Sequence, residues 1–474
     1  MFIGRKKELQ RLKDLLKKKT SSLVVIRGRR RIGKSRLSQE FSKFFSRSYF
    51  FEGLAPVKGV TKDDQKSEFS NQMRQQEIPR IGGEDWSDFF LDLSKHCKKG
   101  RVLIVFDEIS WMGQNDPTFL GKLKISWDQR FKNNPRLIFI LSGSNSTWIE
   151  ENILSSTGFF GRVSRKLKLK ELPLHDCNEF WESKKNLISA YEKFKILSVT
   201  GGVPLYLEEI QSNLSAEENI RGLCFEHDGL LFNDFDEIFT TLFSHKSEIY
   251  RELAKTLVEG PATQIDITKR LKRQKGGDIG EYLDDMSNSG FISRDYTWHI
   301  KQSKLSKISR YRLSDNYLRF YLKYIEPNKK SIEEGEISSL PSSWFSILGL
   351  QFENLVLNNR KRLYQLLGLE LHDIVVSGPF LQTQTKNRSG CQIDLMVQTK
   401  FRNLYVCEIK FEHREVKSSV IKETEEKINR LQLPRGFSCR PVLIHVNGIS
   451  NTILESDYFS NIIDFSDFLR ADSE

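Results

Sequence analysis

Residues 28–35 read Gly28-Arg29-Arg30-Arg31-Ile32-Gly33-Lys34-Ser35, which fits G-x-x-x-x-G-K-[ST], the phosphate-binding loop of nucleoside triphosphatases. The apolar run Leu23-Val24-Val25-Ile26 precedes the loop, as a short buried strand would. Apolar residues at helical spacing follow it, from Leu37 to Phe44. A strand, a glycine loop and a helix together bring backbone N–H groups and a helix N-terminus around an anion. The stretch therefore predicts a nucleotide-phosphate site on an α/β fold.

The residues of this loop suggest an ATP and Mg²⁺ site. Gly28 and Gly33 belong to the backbone that surrounds the phosphates. Lys34 would reach the β- and γ-phosphates, and the Ser35 hydroxyl would complete a Mg²⁺ shell. The alternative is a chance match in a basic loop, which the flanking strand and helix disfavour.

A second motif is the apolar run from Arg101 to Phe106 that ends in Asp107 and Glu108. A continuous apolar run is typical of a buried parallel strand. Asp107 is placed to hold Mg²⁺ directly or through water, and Glu108 to polarise the attacking water as a general base. The alternative is a solvated turn at the end of a strand.

Composition describes a soluble globular chain of about three domains. It has 474 residues, of which 38% are hydrophobic and 29% charged. No apolar run approaches the roughly 20 residues that span a membrane, and the N-terminus lacks a signal-peptide core. Six cysteines are scattered singly, without zinc-ligand spacing, at positions 97, 177, 224, 391, 407 and 439. Reduced thiols in a cytoplasm are therefore the expectation.

The net charge of +12 is concentrated at the N-terminal end. Residues 1–50 hold sixteen Lys and Arg against three Asp and Glu, while the rest of the chain is nearly balanced, with 58 against 59. Two explanations stay open: nucleic-acid binding at this end, or a solvated basic helix from Lys13 to Lys19 beside a phosphate site.

Residues 2–9, which read Phe2-Ile3-Gly4-Arg5-Lys6-Lys7-Glu8-Leu9, resemble the hhGRxxEL box that opens many AAA+ ATPases. The resemblance implies that Gly4 and Arg5 lie beside the adenine. Leu137-Ile138-Phe139-Ile140-Leu141 predicts a further buried strand. In AAA+ enzymes such a strand carries sensor residues at its tip, so Asn145 or Ser142 could detect the γ-phosphate; a plain turn is the alternative.

Further motifs complete the resemblance. Gly161-Arg162 follows, with a basic strand predicted from Val163 to Leu169, and then Gly201-Gly202-Val203-Pro204. Together with the earlier motifs, these occur in the same order in prokaryotic "archaeal ATPase" proteins, which are related to AAA+ and signal-transduction ATPases. The resemblance implies that Pro204 helps to close a helical lid over the nucleotide. Arg162 is a candidate for contact with phosphate or with a second subunit, which leaves a homo-oligomer open.

Residues 243–300 predict a winged helix. Helices are expected from Glu248 to Val258, from Thr263 to Leu271 and from Asp278 to Met286, with Phe291–Arg294 and Trp298–Ile300 as the hairpin wing. The third helix, which would enter a DNA groove, carries four carboxylates that phosphates would repel, at Asp278, Glu281, Asp284 and Asp285. A packing or regulatory module is therefore favoured over a sequence reader.

The segment from Tyr311 to Tyr321 resembles the aromatic segment that follows the winged helix in the same family. Its aromatic side chains are expected in the core rather than on a base-stacking surface. Residues 326–343 are polar and contain Pro327, Gly335 and Pro341, which makes them the best candidate for a linker.

Two strands joined by a polar turn are predicted at 390–397 and 404–410. Side chains two apart on a strand share a face, so Glu408 and Lys410 project together and Asp394 can meet them from the adjacent strand. Asp394 and Glu408 would bind one or two Mg²⁺ ions, while Lys410 would orient or activate water. The alternative is an exposed strand whose charges are solvated.

This constellation resembles the PD-(D/E)xK nuclease superfamily over roughly residues 345–450. Gly349 to Val356 looks like the first helix of that fold, and its Glu353 would add a carboxylate near the metal. Val442 to Val446 supplies a further core strand. The proline that usually precedes the aspartate is replaced here by Ile393.

The predicted architecture is an α/β multidomain chain: a P-loop NTPase parallel sheet with a helical lid, a winged helix and a C-terminal restriction-endonuclease-like α/β domain. The expected divisions are 1–170 (ATPase core), 171–240 (lid), 241–325 (winged helix and following segment), 326–343 (linker) and 344–474 (nuclease-like domain). The expected function is an ATP-gated, Mg²⁺-dependent nuclease that acts on nucleic acid, with DNA favoured. One alternative is a signalling ATPase whose C-terminal domain binds nucleic acid or protein without cutting; another is a transcription factor.

Overall fold

The computed structural model describes residues 2–55, 57, 59–113, 115–243, 246–272, 278–386 and 389–471. The chain divides into two compact units. The first comprises Met1–Glu171, Asp236–Tyr250 and Asp284–Gly290, and the second comprises Leu172–Phe235, Arg251–Leu283 and Phe291–Glu474. The five-part division expected from the sequence stays a prediction.

The first unit is built on a parallel sheet of strand order β2-β3-β4-β1-β5. Its strands are β1 (Ser22–Arg27), β2 (Arg47–Glu52), β3 (Val102–Asp107), β4 (Leu137–Gly143) and β5 (Val163–Lys168). β1, β3 and β4 lie where the apolar runs predict them, and β5 lies within the predicted basic strand from Val163 to Leu169. β4 lies between β1 and β3. β2 was not predicted.

Both faces of this sheet are covered. Leu23 and Val25 of β1 pack into one core cluster, while Val24 and Ile26 pack into another. Alternate residues of a strand point to opposite faces, so a strand buried on both faces has no polar positions. The flanking helices of this unit are α1 (Lys6–Lys13), α2 (Lys34–Ser42), α3 (Lys62–Gln75), α4 (Trp86–His96), α5 (Ile109–Gly113), α6 (Phe119–Gln129) and α7 (Ser146–Ile149).

A helical region and a hairpin follow. The helices are α8 (Leu174–Cys177), α9 (Ala190–Thr200), α10 (Pro204–Glu208), α11 (Ala216–Cys224), α12 (Leu230–Phe243), α13 (Ser247–Lys255), α14 (Gln264–Arg270), α15 (Asp278–Ser289) and α16 (Asn316–Phe320). The hairpin pairs β6 (Ile292–His299) with β7 (Lys304–Leu313) in antiparallel register. The three helices of the predicted winged helix correspond to α13, α14 and α15.

The predicted wing was wrong in its register. Phe291–Arg294 and Trp298–Ile300 were expected to pair with each other, but residues of both stretches lie in β6 and pair with β7. The intervening Asp295-Tyr296-Thr297 contains no glycine or proline, and Asp295 and Tyr296 pair with β7, so the strand continues through it. The chain turns later, near Ser303, whose φ is 54°.

A mixed sheet of order β12-β11-β10-β9-β8 forms the C-terminal part of the second unit. Its strands are β8 (Ile374–Gln382), β9 (Cys391–Thr399), β10 (Asn403–Lys410), β11 (Ser438–His445) and β12 (Asn461–Asp464). β8, β9 and β10 pair antiparallel, while β11 runs parallel to β10 and to β12. This confirms the predicted β9–β10 hairpin and the strand at 442–446.

Helices accompany this sheet: α17 (Lys329–Glu333), α18 (Leu348–Asn358), α19 (Arg360–Leu366), α20 (Ser419–Arg430), α21 (Asn451–Glu455) and α22 (Phe465–Leu469). α18 coincides with the predicted first helix of the nuclease-like domain. α17 lies inside the expected linker, and its Ile332 is buried. In the described part of the chain, no helix is long and apolar enough to cross a membrane.

Candidate functional sites

The phosphate loop connects β1 to α2, and the structure explains why positions 28 and 33 are glycines. Gly33 has a φ of 85°, in the left-handed region, and α2 begins at the next residue. A Cβ on Gly28 would lie 2.6 Å from the carbonyl oxygen of Leu169. Side chains are therefore excluded from the loop where its backbone must approach a ligand.

Lys34 is buried beneath this loop. Its Nζ donates hydrogen bonds to the carbonyl oxygens of Gly28 and Arg29, both at 3.1 Å. Burial lowers the pKa of Lys34, and the nearby Glu108 opposes that shift. Charged phosphate oxygens bind an ammonium more strongly than neutral carbonyl oxygens do, so a bound phosphate can replace these two partners of Lys34.

The two predicted Mg²⁺ ligands meet although 72 residues separate them. Ser35 stands at the start of α2 and Asp107 at the end of β3, and the Ser35 hydroxyl donates a hydrogen bond to the Asp107 carboxylate. Both oxygens thus converge on one place beside the loop. Hydroxyl and carboxylate oxygens suit Mg²⁺, so this pair fits the ion that ATP requires.

Glu108 is buried and held by the end of β4. Its Oε2 accepts hydrogen bonds from the Ser144 backbone N–H at 2.9 Å and from the Ser144 hydroxyl at 2.7 Å. Its Oε1 lies 3.7 Å from the Lys34 Nζ. Glu108 also has a φ of 47°, which is strained for a residue with a side chain and typical of functional sites. Ser144 was not among the residues that the sequence predicted for this site.

The predicted sensor residues make contacts of their own. The Asn145 side-chain oxygen accepts a hydrogen bond from the Trp148 N–H at 3.0 Å and caps α7. Ser142 is fully buried in β4. Detection of the γ-phosphate by either residue stays a prediction.

Gly4 and Arg5 both adopt left-handed backbone conformations, with φ values of 69° and 58°. The Arg5 guanidinium donates hydrogen bonds to the carbonyl oxygens of Ile32, at 3.0 Å, and Lys170, at 2.5 Å. The box at the N-terminus therefore braces the phosphate loop against the end of β5.

Arg162 forms two hydrogen bonds with the carboxylate of Asp128, at 2.9 and 2.8 Å. These bonds lower the pKa of Asp128 to about 2. Pro204 is the first residue of α10, in the second unit. The predicted nucleotide contacts of Arg162 and Pro204 stay predictions.

The second constellation gathers on the C-terminal sheet. Asp394 lies on β9, and its Oδ2 accepts a hydrogen bond from the Ile409 N–H at 3.0 Å. Glu408 and Lys410 lie on β10, with the Lys410 Nζ 3.3 Å from the Glu408 Oε1. Glu353 lies on α18, and Glu408 contributes to raising its pKa, after burial. The structure therefore brings the four predicted residues into one neighbourhood.

Helix α20 adds two residues that sequence reasoning missed. The Lys427 Nζ lies 2.5 Å from the Glu408 Oε2 and 3.9 Å from the Asp394 Oδ1. The Glu423 carboxylate lies 2.6 Å from the Lys410 Nζ. Glu423 and Lys427 are four residues apart, so they share a face of the helix. That spacing was the available signal, although it is also common on solvated helices.

Burial and neighbouring charges shift the pKa values of two residues in this site. Burial raises the pKa of Asp394 to about 7, with further contributions from Glu408 and Glu353 and an opposing one from Lys427. Lys427 keeps a raised pKa because Asp394 and Glu408 outweigh the effect of its burial. Over the described residues, no group of three or more His, Cys, Asp or Glu side chains is placed to hold a metal ion.

Part of the hairpin that follows α15 packs against this sheet, while residues around its turn, such as Lys304 and Lys307, are exposed. The Trp298 Nε1 donates a hydrogen bond to the Gln398 side chain at 2.8 Å, and the Thr297 hydroxyl donates to the Leu381 carbonyl at 2.9 Å. Trp298 and Ile300 pack into the same core cluster as Phe380. This part of the hairpin is therefore a packing element, and the preference for a packing or regulatory module over a sequence reader stays a prediction.

The structure also shows where the aromatic segment and the carboxylates of α15 lie. Tyr317, Phe320 and Tyr321 are buried, which confirms that the aromatic segment belongs to the core. On α15, Asp278, Glu281 and Asp284 are exposed, while Asp285 accepts a hydrogen bond from the Tyr250 hydroxyl at 2.6 Å.

Comparisons with known proteins bear on the N-terminal part. Residues 2–210 match the model of a family described as an ATPase domain predominantly from Archaea. A protein of Methanocaldococcus jannaschii, described as uncharacterized, is 28% identical over 369 residues, covering 75% of this chain and 76% of the relative. The family match supports the predicted P-loop ATPase and reaches through the Gly201–Pro204 motif.

Two solved structures are similar at low identity. The Walker-type ATPase PABY2304 of Pyrococcus abyssi is 14% identical, with a TM-score of 0.49 and coverage of 68% of this chain and 96% of that one. The ORC2 protein of Aeropyrum pernix, in ADPNP and ADP complexes, is 15% identical, with a TM-score of 0.43 and coverage of 70% and 94%. Neither likeness carries an inference about function.

Proposed function

We propose that this protein is a P-loop ATPase whose nucleotide state controls a metal-dependent nuclease centred on Asp394, Glu408 and Lys410. The observation that carries the nuclease is the convergence of the buried Glu408 and the partly buried Asp394 on a cation, the Lys427 ammonium, with Lys410 alongside. Carboxylates so placed are suited to a divalent cation. Nucleic acid is the substrate, and DNA is the favoured form.

ATP would bind at the loop between β1 and α2. Lys34 would exchange its carbonyl partners for phosphate oxygens, and Ser35 and Asp107 would hold the accompanying Mg²⁺. Glu108, released from Ser144, would accept a proton from the attacking water. Adenine contact by Gly4 and Arg5, and phosphate contact by Asn145, Arg162 and Pro204, belong to this proposal by family resemblance.

At the nuclease site, Asp394 and Glu408 would hold the metal, and Glu353 is the further carboxylate that the family resemblance implies. A divalent cation there would neutralise charge on the scissile phosphate. Lys410 would position the attacking water, since its ammonium lies beside Glu408. These residues act as one unit, because neither the metal site nor the lysine completes the chemistry alone.

Contacts within the second unit support control of the nuclease by the nucleotide. α9, which leads into Gly201–Pro204, is joined to α18 by a hydrogen bond of 2.8 Å from the Gln351 Nε2 to the Ser198 carbonyl. Phe194 of α9 packs edge-to-face on Phe352 of α18, with ring centroids 5.5 Å apart. Glu353 is the next residue of α18. A lid movement would therefore reach the helix that carries a nuclease carboxylate.

A second candidate is an ATPase whose C-terminal domain binds nucleic acid or protein without cutting. The direct contact of Lys427 with Glu408 favours it, because a permanent ammonium at this place would exclude a metal. The transcription-factor alternative is disfavoured by the exposed carboxylates of α15, which phosphates would repel.

Cleavage of labelled nucleic acid separates the two candidates. Single- and double-stranded DNA and RNA are incubated with full-length protein and Mg²⁺ or Mn²⁺, with and without ATP. The nuclease predicts cleavage that Asp394→Ala, Glu408→Ala or Lys410→Ala each largely removes, with the double carboxylate variant little worse than either single one.

Glu455→Ala, at an exposed position of α21, is the matched control and should cut like the wild type. Equal cutting by every single variant would show that this site is misassigned. Absence of cutting by the wild type under all metal and nucleotide conditions would favour the non-cutting candidate.

A further inference from the structure

Two lysines compete for the same carboxylate at the proposed nuclease site. Lys410, the lysine of the strand motif, lies 3.3 Å from Glu408 but closer to Glu423, at 2.6 Å. Lys427, from α20, lies 2.5 Å from Glu408 and 3.9 Å from Asp394. Only Lys427 therefore contacts both carboxylates proposed to hold the metal.

The burial of the two carboxylates favours a cation between them. The Glu408 side chain is 2% exposed and the Asp394 side chain 14% exposed. Buried carboxylates that lie close together are stabilised by a neighbouring positive charge, and above the pH at which they bind a proton that charge is needed most. The Lys427 ammonium supplies that charge from outside the sheet, on a flexible stem that can withdraw.

We propose that the Lys427 ammonium competes with a divalent cation for Asp394 and Glu408. The ammonium compensates Asp394 and Glu408 while no metal is bound, and a divalent cation must displace it to reach those oxygens. Lys427 is thus a positioning residue, distinct from Lys410, and it sets how readily the site loads. This inference rests on the proposed nuclease function and adds a control on metal entry to it.

Mn²⁺ binding to the full-length protein tests the inference without any need for turnover. Titrations followed by electron paramagnetic resonance, without nucleotide, are run at about pH 8.5, above the pKa of about 7 to which burial raises Asp394. Lys427→Met should bind Mn²⁺ about tenfold more tightly than the wild type, because the metal no longer displaces an ammonium from its ligands. Lys427→Arg, which keeps the charge, should not gain affinity.

Two variants serve as references. Lys422→Met changes an exposed lysine of the same helix and should leave the Mn²⁺ affinity unchanged. The double variant Asp394→Ala/Glu408→Ala defines Mn²⁺ bound elsewhere, which is subtracted. Lys427→Gln repeats the test if circular dichroism shows that Lys427→Met does not fold.

Unchanged or weaker Mn²⁺ binding by the folded charge-removing variant would overturn the inference, even if the wild type binds metal and cuts. Equal Mn²⁺ binding by the wild type and the double carboxylate variant would instead show that no metal binds at these carboxylates, which would also overturn the proposed nuclease. The two failures are therefore distinguishable.

Discussion

Replacing Glu108 with glutamine removes the proposed general base while keeping its shape. The glutamine oxygen can still accept from the Ser144 N–H and hydroxyl, which lie 2.9 and 2.7 Å from the carboxylate. Hydrogen bonds to a charged group contribute more than neutral ones, so the two weakened bonds cost at most about 2 kcal/mol of folding free energy. Loss of a general base costs about 10²–10⁴-fold in rate, or roughly 3–5 kcal/mol of activation free energy. The catalytic effect should exceed the structural one.

Single-turnover hydrolysis of radiolabelled ATP measures the hydrolysis rate, and a fluorescent-nucleotide titration measures the nucleotide affinity. Glu108→Gln should bind ATP at least as tightly as the wild type, since a negative charge 3.7 Å from the Lys34 Nζ is gone. Hydrolysis should slow by about 10²–10⁴-fold. Glu84→Gln, an exposed glutamate of the same unit, is the control and should change neither. Loss of nucleotide binding without a specific effect on turnover would refute the base assignment.

Other predictions concern both sites. Lys34→Ala should abolish tight ATP binding in an equilibrium titration; unchanged affinity and turnover would remove the phosphate-loop assignment. Burial raises the pKa of Asp394 to about 7, so below that pH a metal must displace a proton. The Mn²⁺ affinity measured by titration should therefore rise from pH 6 to about pH 8 and level off above it. An affinity that does not change with pH would contradict the raised pKa. Gln351→Glu keeps an acceptor for Arg319 but loses the hydrogen bond to the Ser198 carbonyl, so cleavage should lose its ATP dependence; an intact ATP effect would exclude this route.

Local periodicity predicted the elements that depend on a few neighbouring residues. Continuous apolar runs located β1, β3 and β4, because strands of a covered parallel sheet have no polar positions. Period-two alternation placed Glu408 and Lys410 on one face of β10. The meeting of Ser35 with Asp107 also follows from sequence, since parallel strands end at the same sheet edge.

What sequence did not reveal depends on contacts between distant segments. Lys427 reaches Glu408 only because α20 packs beside the sheet, and nothing in its own helix distinguishes it from a solvated lysine. Ser144 gains its importance from Glu108, which lies 36 residues earlier. β2 was missed because it is an edge strand whose residues, from Arg47 to Glu52, are mostly only partly buried.

The central claim is that nucleotide at the phosphate loop controls cleavage at Asp394 and Glu408. The most direct measurement is the initial rate of cleavage of labelled DNA in Mg²⁺ by the wild type and by Lys34→Ala, each with and without ATP. We expect ATP to change the wild-type rate, and we expect Lys34→Ala to cut at a rate that ATP does not change. Cleavage by the wild type at the same rate with and without ATP, or a persistent ATP effect in Lys34→Ala, would contradict it.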